Sequence, residues 1–312
     1  MNLKFVTVLM MLLVGAVLAT RGTPDPRVSL ASMVELWSDA LRDTDQIGMK
    51  LTSVTDAEEM RIGAELARGA ARMGAEDPDA TRYVAAVAEP LLPHLRRQGI
   101  RYQFHVVDSP QINAFALPGG QIYVDRGLLE FAESEAELAA VLGHEMAHVD
   151  LRHCIEHYQY EAKLKKAGVP DLGWLVETVH RLIARGFSPE QESEADAEGE
   201  RLSIEADYDP KAEAALFTRM KVKLAERSRV QANTPAGEVA QSAKEAIGSY
   251  FRTHPPSEER VRRLNDMLAR NAGQLAGRTF YVGKQNLRDR VPRSSHEYEG
   301  EYEGELRTIP SY

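Results

Sequence analysis

The stretch from Ser134 to His153, SEAELAAVLGHEMAHVDLRH, constrains this chain more than any other part of it. Ser134 followed by Glu137 predicts a capping box, in which the serine oxygen accepts from the third backbone N–H and the glutamate reaches back to the cap. The pattern predicts one continuous helix that runs through His153. That helix carries three histidines and Glu145, in a chain that has nine histidines in all.

Two of these histidines are spaced to hold one metal ion. His144 and His148 are four residues apart, so both imidazoles lie on one face of a helix, one turn apart. Glu145 is rotated by about 100° from His144 and can stand beside the ion without binding it. This HExxH arrangement predicts zinc held by two histidines, with the glutamate as general base for a zinc-bound water. His153 and His157 turn away from that face and are interpreted as structural.

A catalytic zinc site needs a third protein ligand from another element. Residues 188–191 form a second helix start, with serine as cap, proline at the first helical position and glutamine at the third. Glu192 and Asp196 then share one face, which predicts Glu192 as the third ligand and Asp196 as its outer partner, while Glu194 points elsewhere. The alternative is a solvated acidic face.

Composition and charge limit what kind of protein this chain can be. A chain of 312 residues with 43% hydrophobic content can bury a substantial core. The net charge of −9 and the absence of a basic stripe argue against a nucleic-acid partner. Cys154 is the single cysteine and cannot form an internal disulfide, so a structural, half-buried thiol is expected.

Residues 1–19 read as a secretory signal peptide. Lys4 precedes an apolar run from Phe5 to Leu18, and the small residues Val17 and Ala19 stand where a signal peptidase cleaves. The segment predicts an exported protein, periplasmic or in the cell envelope and soluble after removal of the signal. The alternative is an uncleaved N-terminal membrane anchor.

Elsewhere, changes of periodicity outline the remaining organisation. Residues 20–55 are interpreted as an N-terminal linker or helix, and residues 276–312 as a C-terminal extension whose acidic Tyr-Glu-Gly-Glu tail is expected to be disordered. Apolar and polar spacing predicts helices over 56–73 and 79–98 and strands over 101–109 and 121–127, with a Pro-Gly-Gly turn signal in 112–120 between the strands.

Four motifs, NAFALPGGQIYV, GHEMAH, ESEAD and HPPSEER, occur in this order. Together they resemble the zinc metallopeptidase family that includes the CAAX-prenyl protease, the HtpX heat-shock protease, and the Oma and BepA-type quality-control proteases. The resemblance covers residues from about 56 to about 271. It implies a mostly helical α+β fold of the gluzincin type over residues 56–275: a zincin-like metallopeptidase core with a small sheet beside the HExxH helix. It also assigns one zinc ion to His144, His148 and Glu192.

The same resemblance gives roles to the HPPSEER motif. It implies that His254 stabilises the oxyanion or caps the resting zinc, and that Arg260 locks the Asp196 carboxylate. Without the resemblance, His254 reads as a turn residue before two prolines and Arg260 as a surface cation.

In the resembled family, a strand beside the active helix offers its backbone edge to an extended polypeptide substrate. The residues predicted to form that edge are Asn113, Ala114, Phe115 and Ala116. The alternative is an ordinary buried strand and turn. Family members often carry membrane helices, and this chain shows none after its first segment, so at most a peripheral association with the membrane or with envelope assembly machinery is expected.

The sequence therefore predicts a zinc metalloendopeptidase that hydrolyses unfolded or misassembled cell-envelope proteins, as part of proteolytic quality control. One alternative is a zinc-bound latent protease that acts mainly as a chaperone-like binding protein, with His254 in the fourth coordination site. Another is a metal-stabilised scaffold without catalysis, against which the intact Glu145 argues.

Overall fold

The computed structural model describes residues 54–70, 74–166, 186–228, 254 and 258–304. The predicted signal peptide 1–19 and the predicted linker, up to residue 53, lie outside the described residues. Among the described helices, none combines the length and the apolar character needed to cross a membrane.

Two helices precede the sheet: α1, Asp56–Ala70, and α2, Pro78–Ala88. The Asp77 side chain caps α2 by accepting from the backbone N–H groups of its first turn. The sequence predicted a helix over 79–98, but α2 ends at Ala88 and a 3₁₀ turn, Glu89–His94, follows. The helix stops because Pro90 and Pro93 lack the N–H groups that would continue it.

A mixed three-stranded sheet comes next, with strands β1, Gln103–Val107, β2, Ala114–Leu117, and β3, Gln121–Asp125. Their order is β1-β3-β2, with β1 parallel and β2 antiparallel to β3. The connection from β2 to β3 is tight because Gly119 and Gly120 adopt φ angles of 76° and 86°, a region that favours glycine. A short helix α3, Arg126–Phe131, follows β3.

Every residue of helix α4, Glu135–Asp150, is buried. The Ser134 hydroxyl caps it by accepting from Glu137 N at 3.1 Å. The predicted return bond from Glu137 to Ser134 is wrong, since the Glu137 carboxylate instead accepts from Glu133 N at 2.8 Å. The guanidinium of Arg219, 2.6 Å away, holds the carboxylate in that position.

The prediction of one continuous helix through His153 is also wrong. Helix α4 ends at Asp150, and helix α5, His153–Lys166, begins after a turn in which Arg152 adopts a φ of 71°. The loop that carries Arg96 and Arg97, before β1, is bonded to this end of α4. There the Asp150 carboxylate accepts from the backbone N–H groups of Arg96 and Arg97 at 2.9 and 2.8 Å.

Three longer helices follow among the described residues: α6, Pro189–Glu205, α7, Ala212–Ser228, and α8, Glu258–Leu275. The capping box predicted for α6 is present, with Ser188 and Gln191 bonded in both directions. Helix α6 packs along α4. The two helices come closest at Gly143 and Gly199, where an added Cβ on Gly199 would lie 2.9 Å from His144 N.

The C-terminal extension is described as far as Gly304 and is folded there. Strand β4, Thr279–Tyr281, pairs antiparallel with β5, Tyr302–Gly304, and helix α9, Lys284–Asp289, lies between them. Disorder was predicted for the acidic tail, and residues 296–304 differ from that expectation because folded groups bond their backbone: Tyr298 N, for example, donates to the Tyr281 hydroxyl at 3.0 Å. Residues 305–312 lie outside the described residues.

The mostly helical α+β fold is confirmed, including the small sheet beside the HExxH helix, because α4 contacts both β2 and β3. The core runs from the sheet across α4 to α6 and α7, with buried side chains such as Ile122, Leu142, Leu202 and Leu216. This packing surrounds a helix that carries charged and polar groups, so those groups must find partners inside the protein.

Candidate metal centre

The three predicted metal ligands converge in the structure. The Nε2 atoms of His144 and His148 are 3.1 Å apart, as expected for histidines one turn apart on α4. Glu192, in the first turn of α6, places its Oε2 3.5 Å from His144 Nε2 and its Oε1 3.6 Å from His148 Nε2. All three side chains are buried. The crossing of α4 and α6 therefore brings together residues that are 44 to 48 positions apart in the sequence.

His254 joins the same group of donor atoms. Its Nδ1 lies 3.2 Å from His144 Nε2 and 3.0 Å from Glu192 Oε1. One ligand atom from each of His144, His148, Glu192 and His254 falls within 4.8 Å of the other three. The residue that was read from the sequence as a turn residue or a zinc neighbour is thus fully buried among the predicted ligands.

These donors fit a zinc ion. Zinc in proteins takes nitrogen and oxygen ligands at about 2.0–2.2 Å in a tetrahedral arrangement, which places neighbouring ligand atoms roughly 3.3 Å apart. The five pairs of donor atoms described above are 3.0 to 3.6 Å apart, and all four ligand atoms lie within 4.8 Å of one another. Imidazole nitrogens with a carboxylate oxygen are also the ligand types that suit zinc.

Glu145, the predicted general base, is completely buried beside this group. Its Oε1 lies 3.2 Å from His254 Nε2. His254 therefore contacts the predicted base with one ring nitrogen and the predicted metal ligands with the other.

Asp196 and Arg260 support the ligands from outside, in the pairing that the sequence predicted. Asp196 Oδ1 lies 3.1 Å from His144 Nδ1. The Arg260 guanidinium donates to both oxygens of Asp196 at 2.9 and 2.5 Å and also lies 2.8 Å from Glu192 Oε2. One buried arginine thus holds two carboxylates in a fixed geometry, since its planar fork leaves little rotational freedom.

The surrounding charges set the protonation of these groups. Burial raises the pKa of Glu192, but the neighbouring His254 and His144 hold it well below its usual range, so the carboxylate is ionised. Burial lowers the pKa of His144, yet the hydrogen bonds to Asp196 and Glu192 raise it to about 10. Burial, with His144 nearby, lowers the pKa of His148 well below its usual value. A metal that binds His144 through Nε2 must therefore displace a proton.

Sequence reasoning missed two residues of this region, Phe187 and Glu213. Phe187 stacks on the His148 ring with centroids 3.6 Å apart and on the His157 ring at 5.1 Å. Glu213, on α7, places Oε1 3.6 Å from His144 Nδ1, and burial raises its pKa well above the usual value. The sequence signal that could have found Glu213 is its position as a charged residue inside an otherwise apolar run, AEAALF.

His153 was assigned a structural role away from the ligand face, but its Nδ1 lies 3.1 Å from His148 Nδ1. Its Nε2 lies 3.1 Å from Oε2 of Glu194, the residue that was expected to point elsewhere. Burial lowers the pKa of His153 by more than the Glu194 carboxylate raises it, which favours the neutral imidazole.

The predicted substrate edge lies next to the active helix. Strand β2 is one of the two edge strands of the three-stranded sheet and contacts α4. The four predicted residues, Asn113, Ala114, Phe115 and Ala116, are all buried. The thiol of Cys154, which is buried rather than half-buried, lies 3.7 Å from the carbonyl oxygen of Ala116. The substrate role of this strand remains a prediction.

A helix with HExxH beside a second helix that supplies a carboxylate defines a class, the zinc-dependent peptidases. Residues 78–268, more than half of the chain, match Peptidase family M48. The chain therefore belongs to peptidase family M48, which confirms the resemblance carried by its four motifs.

Several proteins are similar to this chain. The mitochondrial metalloendopeptidase OMA1 of Schizosaccharomyces pombe is 30% identical over 197 residues, which cover 60% of this chain and 53% of the relative. The OMA1 of Arabidopsis thaliana is 32% identical over 198 residues, covering 61% of this chain and 36% of the relative. The beta-barrel assembly-enhancing protease of Escherichia coli (strain K12) is 26% identical over 284 residues, covering 82% and 54%. The chain thus spans about half or less of the length of these relatives.

Proposed function

We propose that this protein is a zinc metalloendopeptidase. The observation that carries the proposal is the convergence of His144 Nε2, His148 Nε2 and the Glu192 carboxylate, with distances of 3.1 to 3.6 Å between donors. Those three residues would hold one zinc ion. Two histidines and a glutamate leave a fourth position for water or substrate, as in catalytic rather than structural zinc sites.

When bound, zinc polarises the scissile carbonyl and lowers the pKa of a water molecule. Glu145 takes the proton of the attacking water and later delivers it to the leaving amine. Asp196 Oδ1 lies 3.1 Å from His144 Nδ1, where it orients the ring of a metal-bound His144, and Arg260 holds Asp196 and Glu192 in place, so the ligands need no rearrangement during the reaction.

The experiment is cleavage of an unfolded model protein by the purified chain, beside Glu145→Gln, with bound zinc quantified in both. The glutamine keeps the shape of the side chain but cannot take a proton, so the rate is expected to fall by about 10²–10⁴-fold with zinc content unchanged. Glu190→Gln, an exposed glutamate at the start of α6, is the matched control. Equal cleavage by the parent and Glu145→Gln would remove Glu145 as the base.

A second candidate function is a zinc-bound latent protease that acts mainly as a chaperone-like binding protein. It is favoured by His254, whose Nδ1 lies among the donors and whose Nε2 contacts Glu145 at 3.2 Å. In such a protein His254 would be the fourth ligand of the zinc, and its contact with Glu145 would keep that carboxylate from acting as a base. The other role for His254 is to stabilise the oxyanion of the reaction.

His254→Ala distinguishes these two roles. If His254 keeps the site latent, the parent cleaves slowly and the variant cleaves faster, because both the fourth position and Glu145 are freed. If His254 stabilises the oxyanion, the variant cleaves more slowly, by about 10²–10³-fold. Measuring the rate under saturating zinc separates either effect from a change in metal occupancy.

For substrates and location, we infer an exported protein that degrades unfolded or misassembled proteins of the cell envelope. The inference is supported by the signal-like segment 1–19 and by similarity to a relative named as a beta-barrel assembly-enhancing protease. Substrates would bind in extended form along residues 113–116, and any contact with the membrane would be peripheral. Export is tested by fractionating cells that make the full chain and by sequencing the mature N-terminus: a start at residue 20 in the envelope fraction supports it, and an intact cytoplasmic protein contradicts it.

A further inference from the structure

His148 is contacted on the side opposite to the proposed metal by a second histidine. His148 Nδ1 lies 3.1 Å from His153 Nδ1, and His153 Nε2 lies 3.1 Å from Glu194 Oε2. The His153 side chain is 4% exposed, whereas that of Glu194 is 65% exposed. The proposed catalytic steps use neither residue.

The protons in this chain of contacts can be placed by elimination. A His148 that binds a metal through Nε2 carries its proton on Nδ1, and that N–H donates to His153 Nδ1. His153 must then carry its own proton on Nε2, and that N–H donates to the Glu194 carboxylate. This is the one arrangement of neutral rings in which both contacts are hydrogen bonds and His148 Nε2 is free of a proton.

The backbone places His153 for this contact. On a continuous helix, five residues correspond to a rotation of about 140° away from His148. The turn at Leu151 and Arg152, where Arg152 takes a φ of 71°, resets the direction of the chain and returns His153 to the His148 ring. Phe187 lies stacked on the His148 ring, with centroids 3.6 Å apart. The His148 ring is therefore held by a hydrogen bond at Nδ1 and by packing on one face.

We propose that His153 and Glu194 are positioning residues for the metal ligand His148. His153 fixes the tautomer and orientation of His148, and Glu194 fixes the tautomer of His153. Metal-bound histidines usually donate their second N–H to a carboxylate or carbonyl, and loss of that partner weakens metal binding. His144 has such a direct partner in Asp196, whereas His148 reaches its carboxylate through an imidazole. The inference rests on the proposed metal site.

The test measures zinc affinity by competition with a chromogenic chelator, and the visible absorption spectrum of the cobalt-substituted protein. His153→Phe removes the acceptor for His148 Nδ1, and we expect zinc affinity to fall by about 10–100-fold with a changed cobalt spectrum. Glu194→Ala leaves His153 free to change tautomer, and a smaller loss, roughly 3- to 10-fold, is expected. Glu194→Gln keeps an oxygen that accepts from His153 Nε2 and is expected to bind zinc like the parent.

Glu190→Ala, another exposed glutamate on α6, is the matched control for Glu194→Ala. In the His153→Phe background, Glu194→Ala is expected to cause no further loss, because the two residues act in series. Because Glu194 is exposed, its variants are informative even if His153→Phe does not fold.

The proposal is overturned if Glu194→Ala binds zinc as the Glu190→Ala control does, or if folded His153→Phe binds zinc within twofold of the parent. A parent chain that takes up no zinc would overturn the proposed function together with this inference. A parent that binds zinc and cleaves substrate, beside variants of unchanged zinc affinity, would overturn this inference alone.

Discussion

Glu200 is a buried residue on α6, one turn beyond Asp196. It is not one of the proposed metal ligands. It is 4% exposed, and burial together with the nearby Asp196 charge raises its pKa from 4.5 to about 8. The folded protein therefore keeps a proton on Glu200 at neutral pH. The unfolded chain releases that proton, since its carboxyl groups are solvated.

Glu200→Gln is expected to stabilise the protein at neutral and higher pH. Because the folded pKa is raised, the parent has its full stability from this group below pH 4.5 and loses stability as the pH rises to about 8. Glutamine has no proton to lose, so the difference in free energy of unfolding between variant and parent grows over that range. It reaches the order of a few kcal/mol and is then constant.

Urea unfolding of both proteins between pH 4.5 and 9 measures this difference. Glu190→Gln, at an exposed position of the same helix, is the control. A variant whose unfolding free energy runs parallel to that of the parent across this range would contradict the raised pKa of Glu200.

Contacts between side chains on one face of a helix could be predicted from the sequence. A contact that depends on one unusual backbone angle could not. His144 and His148, and likewise Glu192 and Asp196, follow from the four-residue repeat of a helix. The position of the His153 side chain depends on the left-handed turn at Arg152. None of the residues Leu151, Arg152 and His153 is of a type that favours such a turn. For this reason the sequence placed His153 away from the ligands, although it contacts His148.

At the scale of elements, the separation of α4 and α6 fixes the distance between the histidines and Glu192. The two helices touch through Gly143 and Gly199, where backbone meets backbone. An added Cβ on Gly199 would lie 2.9 Å from His144 N and 3.1 Å from His144 Cα. Backbone atoms cannot rotate away as a side chain can, so any larger residue at position 199 must push the helices apart.

Gly199→Ala is therefore expected to destabilise the protein by about 1–3 kcal/mol and to weaken zinc binding. The loss of zinc affinity follows because Glu192 moves away from His144 and His148 together with α6. Gly273→Ala, the same substitution in α8, is the control: an added Cβ there meets no atom within 4 Å, and better helix propensity is expected to add about 0.5–1 kcal/mol of stability. Thermal unfolding and zinc titration of both variants measure the effects, and equal behaviour would contradict the tight crossing.

The helix starts at Ser134 and Ser188 could be predicted because a cap is a local signal. Helix ends were harder to predict. The end of α4 depends on the loop at Arg96 and Arg97, about 50 residues earlier, whose N–H groups bond Asp150. An apolar pattern predicts which face of a helix is buried, but it does not predict which distant loop will pack against the end of that helix.

At the scale of the whole molecule, the C-terminal extension completes the start of α4. Glu135 is fully buried there, and it accepts from the Tyr83 hydroxyl at 3.1 Å and from Arg293 N at 3.2 Å. The Gly283 carbonyl in turn accepts from Glu135 N at 3.1 Å. Low apolar content predicted disorder for the tail from His296, yet Tyr298 N in that tail donates to the Tyr281 hydroxyl at 3.0 Å. Composition alone does not show which folded groups will bond the backbone of a polar segment.

A chain that ends at residue 291 is expected to be less stable than the parent by about 2–4 kcal/mol. It lacks Arg293, which leaves the buried Glu135 carboxylate short of a donor, and it lacks β5, which leaves β4 unpaired. The measurement is the midpoint of thermal unfolding in the presence of chelator. A chain that ends at Gly304 retains every contact described for the extension and is the control. Equal midpoints for the two truncated chains would show that the extension does not support α4.

The bond between Arg293 N and Glu135 also sets an order of events while the protein is being made. The two residues are 158 positions apart, so the bond between them cannot form until residue 293 has left the ribosome. A nascent chain halted earlier would contain the HExxH sequence, but Glu135 in the first turn of its helix would lack the bond from Arg293 N. A protein with this architecture can therefore pair the buried Glu135 with Arg293 only after residue 293 has been made.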